Sequence, residues 1–224
     1  MNYQRIDNFL PREVFQEIQT FLMQGDMMWS YRSALTDVND TCGFHFSGDV
    51  FHSEREQCDI PLLERIGVPI ITRLPMSKLI RIKINCYPRQ VRVGEDNFPK
   101  SSYHVDLSYP HHTAILGINT NNGYTEFDDG TKLDSIENSL IIFDGTKRHR
   151  AVGCTDENIR VNININWIDE IQLMNMTNEE ADRFNEFVMK LLDSNKIIND
   201  TTQEISLLAW SNKNLESELF TTLY

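Results

Sequence analysis

The residues best suited to chemistry lie in the stretch Tyr103–Leu107, which contains His104 and Asp106. If this stretch is a β-strand, side chains two residues apart point to the same face, so the imidazole and the carboxylate lie side by side. A second imidazole, that of His149, comes at the end of a later apolar segment. Two imidazoles and one carboxylate on one face of a metal leave the opposite positions open, which suits non-haem Fe(II) or, as the main rival, catalytic Zn(II). The pattern therefore predicts a metal site formed by His104, Asp106 and His149.

Four further histidines are competing candidates, and each has a simpler explanation. His45 and His52 flank a predicted hairpin where nothing nearby completes a ligand set, so we expect ordinary strand or surface residues. His111 and His112 follow Pro110 in a predicted loop, which is a less rigid platform for a metal than a strand. We expect these two at the mouth of the site, in a rim of basic side chains: Arg81, Lys83, His111 and His112.

Arg160 follows His149 after one tight turn, and it starts an alternating segment with Asn162 on the same face. An arginine on an inward polar face binds a carboxylate through its planar guanidinium, and no dedicated protein acid is evident in the sequence. A dicarboxylate with one end on the metal and the other on Arg160 would satisfy both groups, which favours iron over zinc. The alternative is a surface arginine paired with an acid. Further candidates to bind such an anion lie on an earlier strand: Asn85 and Tyr87.

The segment Leu79–Tyr87 is the clearest strand, because its residues alternate without a break. Apolar residues occupy one face, and two charges, an amide and a phenol occupy the other. Such alternation is typical of a sheet that packs against other elements on one side only. We expect the apolar face to meet the N-terminal helices and the polar face to line a cavity or meet water. The polar set is Arg81, Lys83, Asn85 and Tyr87.

Residues 79–167 contain about seven short segments of this kind, joined by turns, with no helical pattern between them. This order predicts an antiparallel sandwich or barrel rather than a β-α-β sheet. Upstream, Phe44–His52 predicts a β-hairpin that turns at Ser47-Gly48-Asp49. Helical periodicity precedes the strands at residues 11–24 and 61–71.

Two more helical segments follow the strands, at residues 177–192 and 202–219, the first of them opened by the capping box Thr177–Glu180. We therefore predict a domain at residues 1–170 and a helical extension at 171–224 that packs on the same domain. The helices of this extension are the candidate contact for a homodimer.

Composition argues against several classes of function. The chain has 224 residues and a formal net charge of −12, which disfavours a nucleic-acid binder because affinity for phosphate comes mainly from Lys and Arg. The basic cluster between Arg73 and Arg92 would have to form one stripe for that role; otherwise it is a solvated face or attracts an acidic substrate. No apolar run is long enough to cross a membrane, and the N-terminus lacks the apolar core of a signal peptide. The 4 cysteines show no C-x-x-C spacing, so we expect free thiols and a cytoplasmic protein.

Six motifs resemble, in order and spacing, those of the Fe(II)/2-oxoglutarate-dependent dioxygenases, and most closely the prolyl 4-hydroxylase-like branch. The resemblance covers roughly residues 80–167, and the N-terminal helix after Phe9-Leu10-Pro11 is also similar. The order of the six is specific, whereas any one alone is not. The motifs are Asn85-Cys86-Tyr87-Pro88, Tyr103-His104-Val105-Asp106, Gly123-Tyr124-Thr125-Glu126-Phe127, Ile141-Ile142-Phe143-Asp144, His149, and Arg160-Val161-Asn162.

The resemblance implies both a fold and a chemistry. The fold is mainly β, a double-stranded β-helix (jelly-roll) core packed on N-terminal and C-terminal α-helices. The site is Fe(II) on His104, Asp106 and His149, with 2-oxoglutarate held by Arg160 and Tyr87 in a position that helps bind it. The reaction is hydroxylation of a peptidyl or free amino-acid substrate of prolyl type by O2, with release of succinate and CO2 and with ascorbate as a possible reductant.

Two positions depart from the family pattern. The strand after the H-x-D motif often carries a tyrosine directed at the co-substrate, and the aligned residue here is Gly117. The anion-binding residue is commonly a lysine in the collagen-type enzymes, and here it is Arg160. Two other functions therefore stay open: a jelly-roll binding module without catalysis, and a cupin-like metalloenzyme that does not use 2-oxoglutarate.

Overall fold

The computed structural model describes residues 2–34, 43–90 and 100–169. Several sequence predictions fall outside these ranges. They are the helices at 177–192 and 202–219, the extension at 171–224 with its dimer contact, Cys42, and Arg92 of the basic cluster. No helix in the described ranges is long and apolar enough to span a membrane.

The described residues form short helices and a series of strands. The helices are α1 (Arg12–Met23), α2 (Ile60–Leu62) and α3 (Val68–Ile71), with one π-helical turn (Leu63–Gly67) between the last two and a 3-10 turn at Ser53–Arg55. The strands are β1 (Tyr3–Asp7), β2 (Ser30–Arg32), β3 (His45–His52), β4 (Gln57–Cys58), β5 (Lys78–Pro88), β6 (His112–Gly117), β7 (Asn121–Phe127), β8 (Lys132–Ser135), β9 (Ser139–Asp144), β10 (His149–Val152) and β11 (Ile159–Ile168). The predictions of helices at 11–24 and 61–71 are therefore confirmed.

The strands form two antiparallel sheets. The major sheet has the order β1-β9-β6-β11-β5-β3-β2, with β4 paired to β3, and the minor sheet has the order β10-β7-β8. Two isolated bridges, Lys100 with Val152 and His104 with His149, attach the segment before β6 to β10. The described residues between Lys78 and Ile168 include no helix, which confirms the predicted antiparallel β architecture.

β5 and β11 form the centre of the major sheet, and their alternation decides which side chains face the core. Ile84 pairs with Ile163, and both are fully buried on the side that packs against α1. From α1 the contacts come from Phe15, Ile18 and Leu22, which lie on one face of that helix. Burial of each such side chain contributes about 1.5–3 kcal/mol, so this face of the sheet is strongly fixed.

The opposite face of β5 and β11 looks into the space between the two sheets, which we call the cleft. Between positions 81 and 87 of β5 and between positions 160 and 166 of β11, the residues that alternate onto this face are all polar or charged. Farther along the major sheet the wall is apolar, since Ile141 and Phe143 of β9 pack against Phe127 and Leu133 of the minor sheet. The polar pairs across the two central strands are Arg160 with Tyr87, Asn162 with Asn85, Asn164 with Lys83, and Asn166 with Arg81.

The predicted hairpin at Phe44–His52 is wrong, because this segment contains one continuous strand, β3. The turn was expected at Ser47-Gly48-Asp49, yet Gly48 serves packing rather than a turn. A β-carbon at this position would lie 2.1 Å from Cε of Met27. The missing side chain thus lets Met27 lie against the strand.

The stretch Tyr103–Leu107 is also not a strand. Only His104 is paired, through two backbone hydrogen bonds of 2.9 Å that it exchanges with His149. The side chain of Asp106 is held by donors of the major sheet, not by neighbours along β10. His104 is thus positioned by the minor sheet and Asp106 by the major sheet. The stretch that contains both residues does not continue as a regular strand.

Candidate metal and anion site

The side chains of His104, Asp106 and His149 converge in the cleft. Nε2 of His104 lies 3.8 Å from Oδ1 of Asp106, and the ring centroids of the two histidines are 4.7 Å apart. One possible ligand atom from each of the three residues lies within 4.8 Å of the other two. The structure thus brings the three predicted metal ligands together without the regular strand that was expected to carry two of them.

Backbone carbonyls favour one tautomer of both histidines. Nδ1 of His104 lies 3.2 Å from the carbonyl oxygen of Ser102, and Nδ1 of His149 lies 3.0 Å from that of Lys147. An Nδ1–H that donates to a carbonyl leaves the lone pair of Nε2 free for a metal. Burial, followed by the neighbouring His149, lowers the pKa of His104 and so favours its neutral form. This donor set fits a divalent metal ion.

Three donors hold the carboxylate of Asp106. Nη2 of Arg81 lies 2.9 Å from Oδ1, and the amides of Asn164 and Asn166 lie 3.0 and 3.1 Å from Oδ2. Burial would raise the pKa of this carboxyl, but Arg81, the nearby imidazoles and Asn164 hold the pKa well below its usual range. Asp106 is therefore ionised at neutral pH, and Oδ1, the oxygen nearest Nε2 of His104, keeps a second lone pair for a metal. Arg81 was predicted at the rim and is instead the ion-pair partner of Asp106.

Arg160 lies elsewhere along the polar face of β11 and is only 2% exposed. Its Nε donates to Oγ of Ser135 at 2.6 Å, and its Nη2 donates to Oγ1 of Thr125 at 3.2 Å. Among the described residues, no carboxylate lies within 4.0 Å of this guanidinium. A buried cation without a counter-ion is costly, so the surroundings of Arg160 fit a carboxylate ligand. The alternative of a surface arginine paired with an acid does not agree with this burial.

Ser135 and Thr125 are site residues that the sequence analysis missed. Their hydroxyls accept hydrogen bonds from the guanidinium and so fix its orientation. Thr125 lies two residues after Gly123 on β7, so both face the same side of the minor sheet, toward Arg160. That spacing within the motif Gly123–Phe127 was the available signal, whereas nothing local pointed to Ser135.

Tyr87 and Asn162, the other predicted anion-binding residues, lie beside Arg160. Cζ of Arg160 is 5.5 Å from the ring centroid of Tyr87. Burial raises the pKa of Tyr87 to about 12, so the phenol stays protonated and can donate its O–H. Asn85 donates from Nδ2 to Oδ1 of Asn162 at 3.1 Å, which leaves Nδ2 of Asn162 for an anion. Asn85 therefore orients the amide of Asn162.

Position 117, where the family resemblance led us to expect a tyrosine, has no room for a side chain. Gly117 pairs with Asn162 across β6 and β11, so a side chain there would point into the cleft. A β-carbon at position 117 would lie only 2.2 Å from the carbonyl oxygen of Ile136. The backbone before β9 occupies the space of a side chain, and no tyrosine can fit.

The remaining histidines stay outside the candidate ligand set. His111 is fully buried, its Nδ1 lies 2.7 Å from the carbonyl oxygen of Tyr109, and its ring packs against Gly145, so its predicted place at the mouth of the site is wrong. Nε2 of His112 lies 2.8 Å from Oδ2 of Asp169. His45 and His52 lie on β3 and are buried. Of the two explanations, strand residue or surface residue, the first is therefore confirmed.

No protein-family model and no curated protein matches the chain. Solved structures do match. A prolyl hydroxylase from Trichoplax adhaerens, in complex with a hypoxia-inducible factor oxygen degradation domain peptide fragment, gives a TM-score of 0.51 at 17% identity, over 78% of this chain and 87% of that chain. The non-haem α-ketoglutarate-dependent carbocyclase SnoK from nogalamycin biosynthesis gives a TM-score of 0.50 at 11% identity, over 75% of this chain and 79% of that chain.

At these identities the likeness concerns the fold. Two antiparallel sheets, with helix α1 packed on the outer face of the larger sheet, match the architecture that the sequence motifs predicted. The predicted C-terminal helices of that architecture lie outside the described residues. The chain thus has the double-stranded β-helix fold of the Fe(II)/2-oxoglutarate-dependent oxygenases.

Proposed function

We propose that this protein is an Fe(II)- and 2-oxoglutarate-dependent dioxygenase that hydroxylates a peptidyl or free amino-acid substrate of prolyl type, with release of succinate and CO2. One observation carries the proposal: a single cleft contains both halves of a site for a metal-chelating dicarboxylate. One half is the convergence of His104, Asp106 and His149. The other is buried Arg160, which has no acid partner in the described ranges. Neither half alone would distinguish this function from that of a zinc enzyme or a binding module.

The metal would be held by Nε2 of each imidazole and by Oδ1 of Asp106. Fe(II), once bound, would supply the position at which 2-oxoglutarate and O2 react, with ascorbate as a possible reductant that keeps the iron ferrous. Arg81, Asn164 and Asn166 would keep the carboxylate in place, because they occupy three of its lone pairs and restrict its rotation.

The far carboxylate of 2-oxoglutarate would bind Arg160. Ser135 and Thr125 hold the guanidinium from the minor sheet, so its orientation does not depend on the ligand. Tyr87 can donate its phenolic O–H and Asn162 its amide N–H to the same anion. The chain's contribution is therefore a preformed arrangement of donors at a fixed place along β11.

An apolar wall beside His149 would exclude water from one side of the metal. The rings of Phe127 and Phe143 pack edge to face with centroids 4.9 Å apart, and their centroids lie 5.9 and 5.2 Å from that of His149. Both phenylalanines are buried. Exclusion of water strengthens the electrostatic interactions of the site and suppresses side reactions.

The proposal also includes a class of substrate and a location. The prolyl hydroxylase of similar fold was solved with a peptide fragment, which supports a peptidyl or amino-acid substrate here. The described cysteines, Cys58, Cys86 and Cys154, are free thiols, which supports the cytoplasmic location predicted from sequence.

The test is an anaerobic titration of the purified full-length protein with Fe(II) and then 2-oxoglutarate. We expect 2-oxoglutarate to bind only after the metal, with the visible charge-transfer absorption that this chelate gives. Admission of O2 should then convert 2-oxoglutarate to succinate, faster with a substrate found by screening peptides and amino acids. If neither the metal nor 2-oxoglutarate binds to protein shown by circular dichroism to be folded, the proposal fails.

A further inference from the structure

The polar face of the cleft continues beyond β5 onto β3 and β2. Asp49 of β3 pairs with Lys83 of β5, and Ser47 pairs with Asn85. Arg32 of β2 reaches the same surface, where its Nε donates to Oγ of Ser47 at 2.8 Å. This extension is not used by the proposed metal and co-substrate sites, which lie on β11 and its neighbours.

Among the described residues of this surface, Lys83 is the charged group without a partner. Asp49 is taken by Arg32 at 2.7 Å, and Asp106 is taken by Arg81 at 2.9 Å. Within the described ranges, Nζ of Lys83 has no hydrogen bond, and no carboxylate lies within 4.0 Å of it. Burial, followed by repulsion from Arg81, lowers the pKa of Lys83 to about 8. The surroundings therefore disfavour the charged ammonium form, and a bound anion would favour it.

The balance of charge across the cleft points the same way. Among the residues that the structure describes on β2, β3, β5 and β11 and at Asp106, the inward cations are Arg32, Arg81, Lys83 and Arg160, and the inward anions are Asp49 and Asp106. Fe(II) and doubly charged 2-oxoglutarate together add no net charge. The loaded cleft would therefore keep an excess of positive charge within a chain whose formal net charge is −12.

Lys83 is too far from Arg160 to share its ligand. Lys83 lies opposite Asn164, whereas Arg160 lies opposite Tyr87, four residues away along β5. Four residues of a strand span about 13 Å. Asn164 also donates to Asp106, so Lys83 lies beside the metal ligands and on the side that faces β3.

We propose that the substrate carries an oxyanionic group, a carboxylate or a phosphate. Lys83 would bind this group in the part of the cleft that lies over β5 and β3. Lys83 would then determine specificity, because a neutral analogue leaves its ammonium unpaired next to Arg81. The inference rests on the proposed function, since it assigns a substrate class to the same cleft.

The test measures protection of Lys83 from acetylation by a water-soluble acetyl ester, followed by peptide mass spectrometry of the full-length protein. Three probes are compared: inorganic phosphate, N-acetylglycine, and the neutral N-acetylglycinamide. We expect one of the two anions, at about four times its Kd, to slow acetylation of Lys83 about five-fold, with no effect of the amide. Exposed Lys132 on the minor sheet is the internal control and should react at an unchanged rate.

The outcomes separate the possible sources of the anion. Protection by N-acetylglycine alone assigns a carboxylate, and protection by phosphate alone assigns a phosphate. The Arg160→Gln variant must keep the protection, because the anion is placed at Lys83. The proposal is overturned if neither anion protects Lys83, if Lys83 does not react in the free protein, or if 2-oxoglutarate with Zn(II) protects it fully without a probe. A failure of the proposed function would appear separately, as absence of metal and 2-oxoglutarate binding to protein whose Lys83 is still protected by an anion.

Discussion

Gly123 lies directly against the side chain of Arg160. A β-carbon at position 123 would lie 2.8 Å from Cδ of Arg160 and 2.9 Å from the carbonyl oxygen of Val152. It would also lie 2.8 Å from Oδ1 of Asn121. All three distances are too short for a β-carbon, and Val152 contributes backbone of the neighbouring strand, so the side chains of Arg160 and Asn121 would have to move. The glycine of the minor sheet is thus what allows the guanidinium to reach the hydroxyls of Thr125 and Ser135.

Replacement of Gly123 by alanine should weaken 2-oxoglutarate binding. The added methyl group displaces the aliphatic part of Arg160 and misaligns its charged hydrogen bonds, which are worth about 1.5–3 kcal/mol each. Loss of one such bond raises the apparent Kd for 2-oxoglutarate about ten- to one-hundred-fold. Anaerobic titration followed by the charge-transfer band measures the change, and metal affinity should stay the same.

The matched control is Gly130→Ala in the turn that follows β7. Gly130 has a φ of +85° and nothing within 4 Å of its β-carbon position, so this variant adds backbone strain without touching Arg160. It should lose some stability and keep its affinity for 2-oxoglutarate. Equal weakening in both variants would mean that general destabilisation, not displacement of Arg160, is responsible.

Arg160→Gln should raise the 2-oxoglutarate requirement more than any variant outside the metal site. The substitution removes the buried positive charge that the far carboxylate would pair with, a loss of about 3–5 kcal/mol or at least one-hundred-fold in affinity. Arg150→Gln is the control, because Arg150 is on the opposite face of the minor sheet, where it pairs with Glu126. Steady-state succinate formation against 2-oxoglutarate concentration compares the two, and similar curves would refute the assignment of Arg160.

His149→Ala should abolish metal binding, whereas His112→Gln should retain it. Only His149 places an imidazole next to His104 and Asp106, while His112 binds Asp169 and stacks on Trp167. Loss of one of three protein ligands typically lowers affinity by orders of magnitude. The d–d absorption of bound Co(II) measures the affinity of both variants without any catalytic turnover. Retention of tight Co(II) binding by the alanine variant would exclude the proposed ligand set.

The strands of the central pair could be predicted from sequence because their signal is local. In β5 and β11, Ile82 and Ile165 alternate with polar partners such as Arg81 and Asn166 along most of each strand. Apolar and polar side chains that alternate with a period of two predict both the strand itself and which of its faces is buried in the core. For the same reason the inward position of Arg160 could be predicted, since it lies at the start of the same alternation.

The errors arise where distant contacts override local preference. Gly48 resembles a turn residue, but the side chain of Met27 needs its space, and that contact cannot be read from the neighbours of Gly48. Asp106 is held by Asn164 and Asn166, which follow it by more than fifty positions, so the stretch around it need not be a strand. The partners of Arg81 and the packing of His111 depend in the same way on contacts between sheets.

His45 should make the stability of the protein depend on pH in the mildly acidic range. This residue is 3% exposed, and its ring stacks on Tyr87 with centroids 5.4 Å apart. Its Nε2 is buried and has no hydrogen-bond partner in the described ranges. Burial, followed by the charges of Lys83 and then Arg32, lowers the pKa of His45 from 6.5 to about 4, although the carbonyl of Ala34 acts in the opposite direction. The unfolded chain therefore binds a proton between pH 6.5 and pH 4 that the folded chain does not bind.

The sign follows from this difference in bound protons. The contribution of His45 to the free energy of unfolding is fully present above pH 6.5 and falls as the pH drops toward 4, by up to about 3 kcal/mol. His45→Gln removes this titration, so its stability should fall less steeply than that of the wild type over the same range. Urea unfolding at pH 7, 6, 5 and 4.5 measures both curves, and the difference between them, rather than either curve alone, isolates His45 from the other buried histidines. Two parallel curves would show that His45 is protonated in the folded protein as easily as in the unfolded chain.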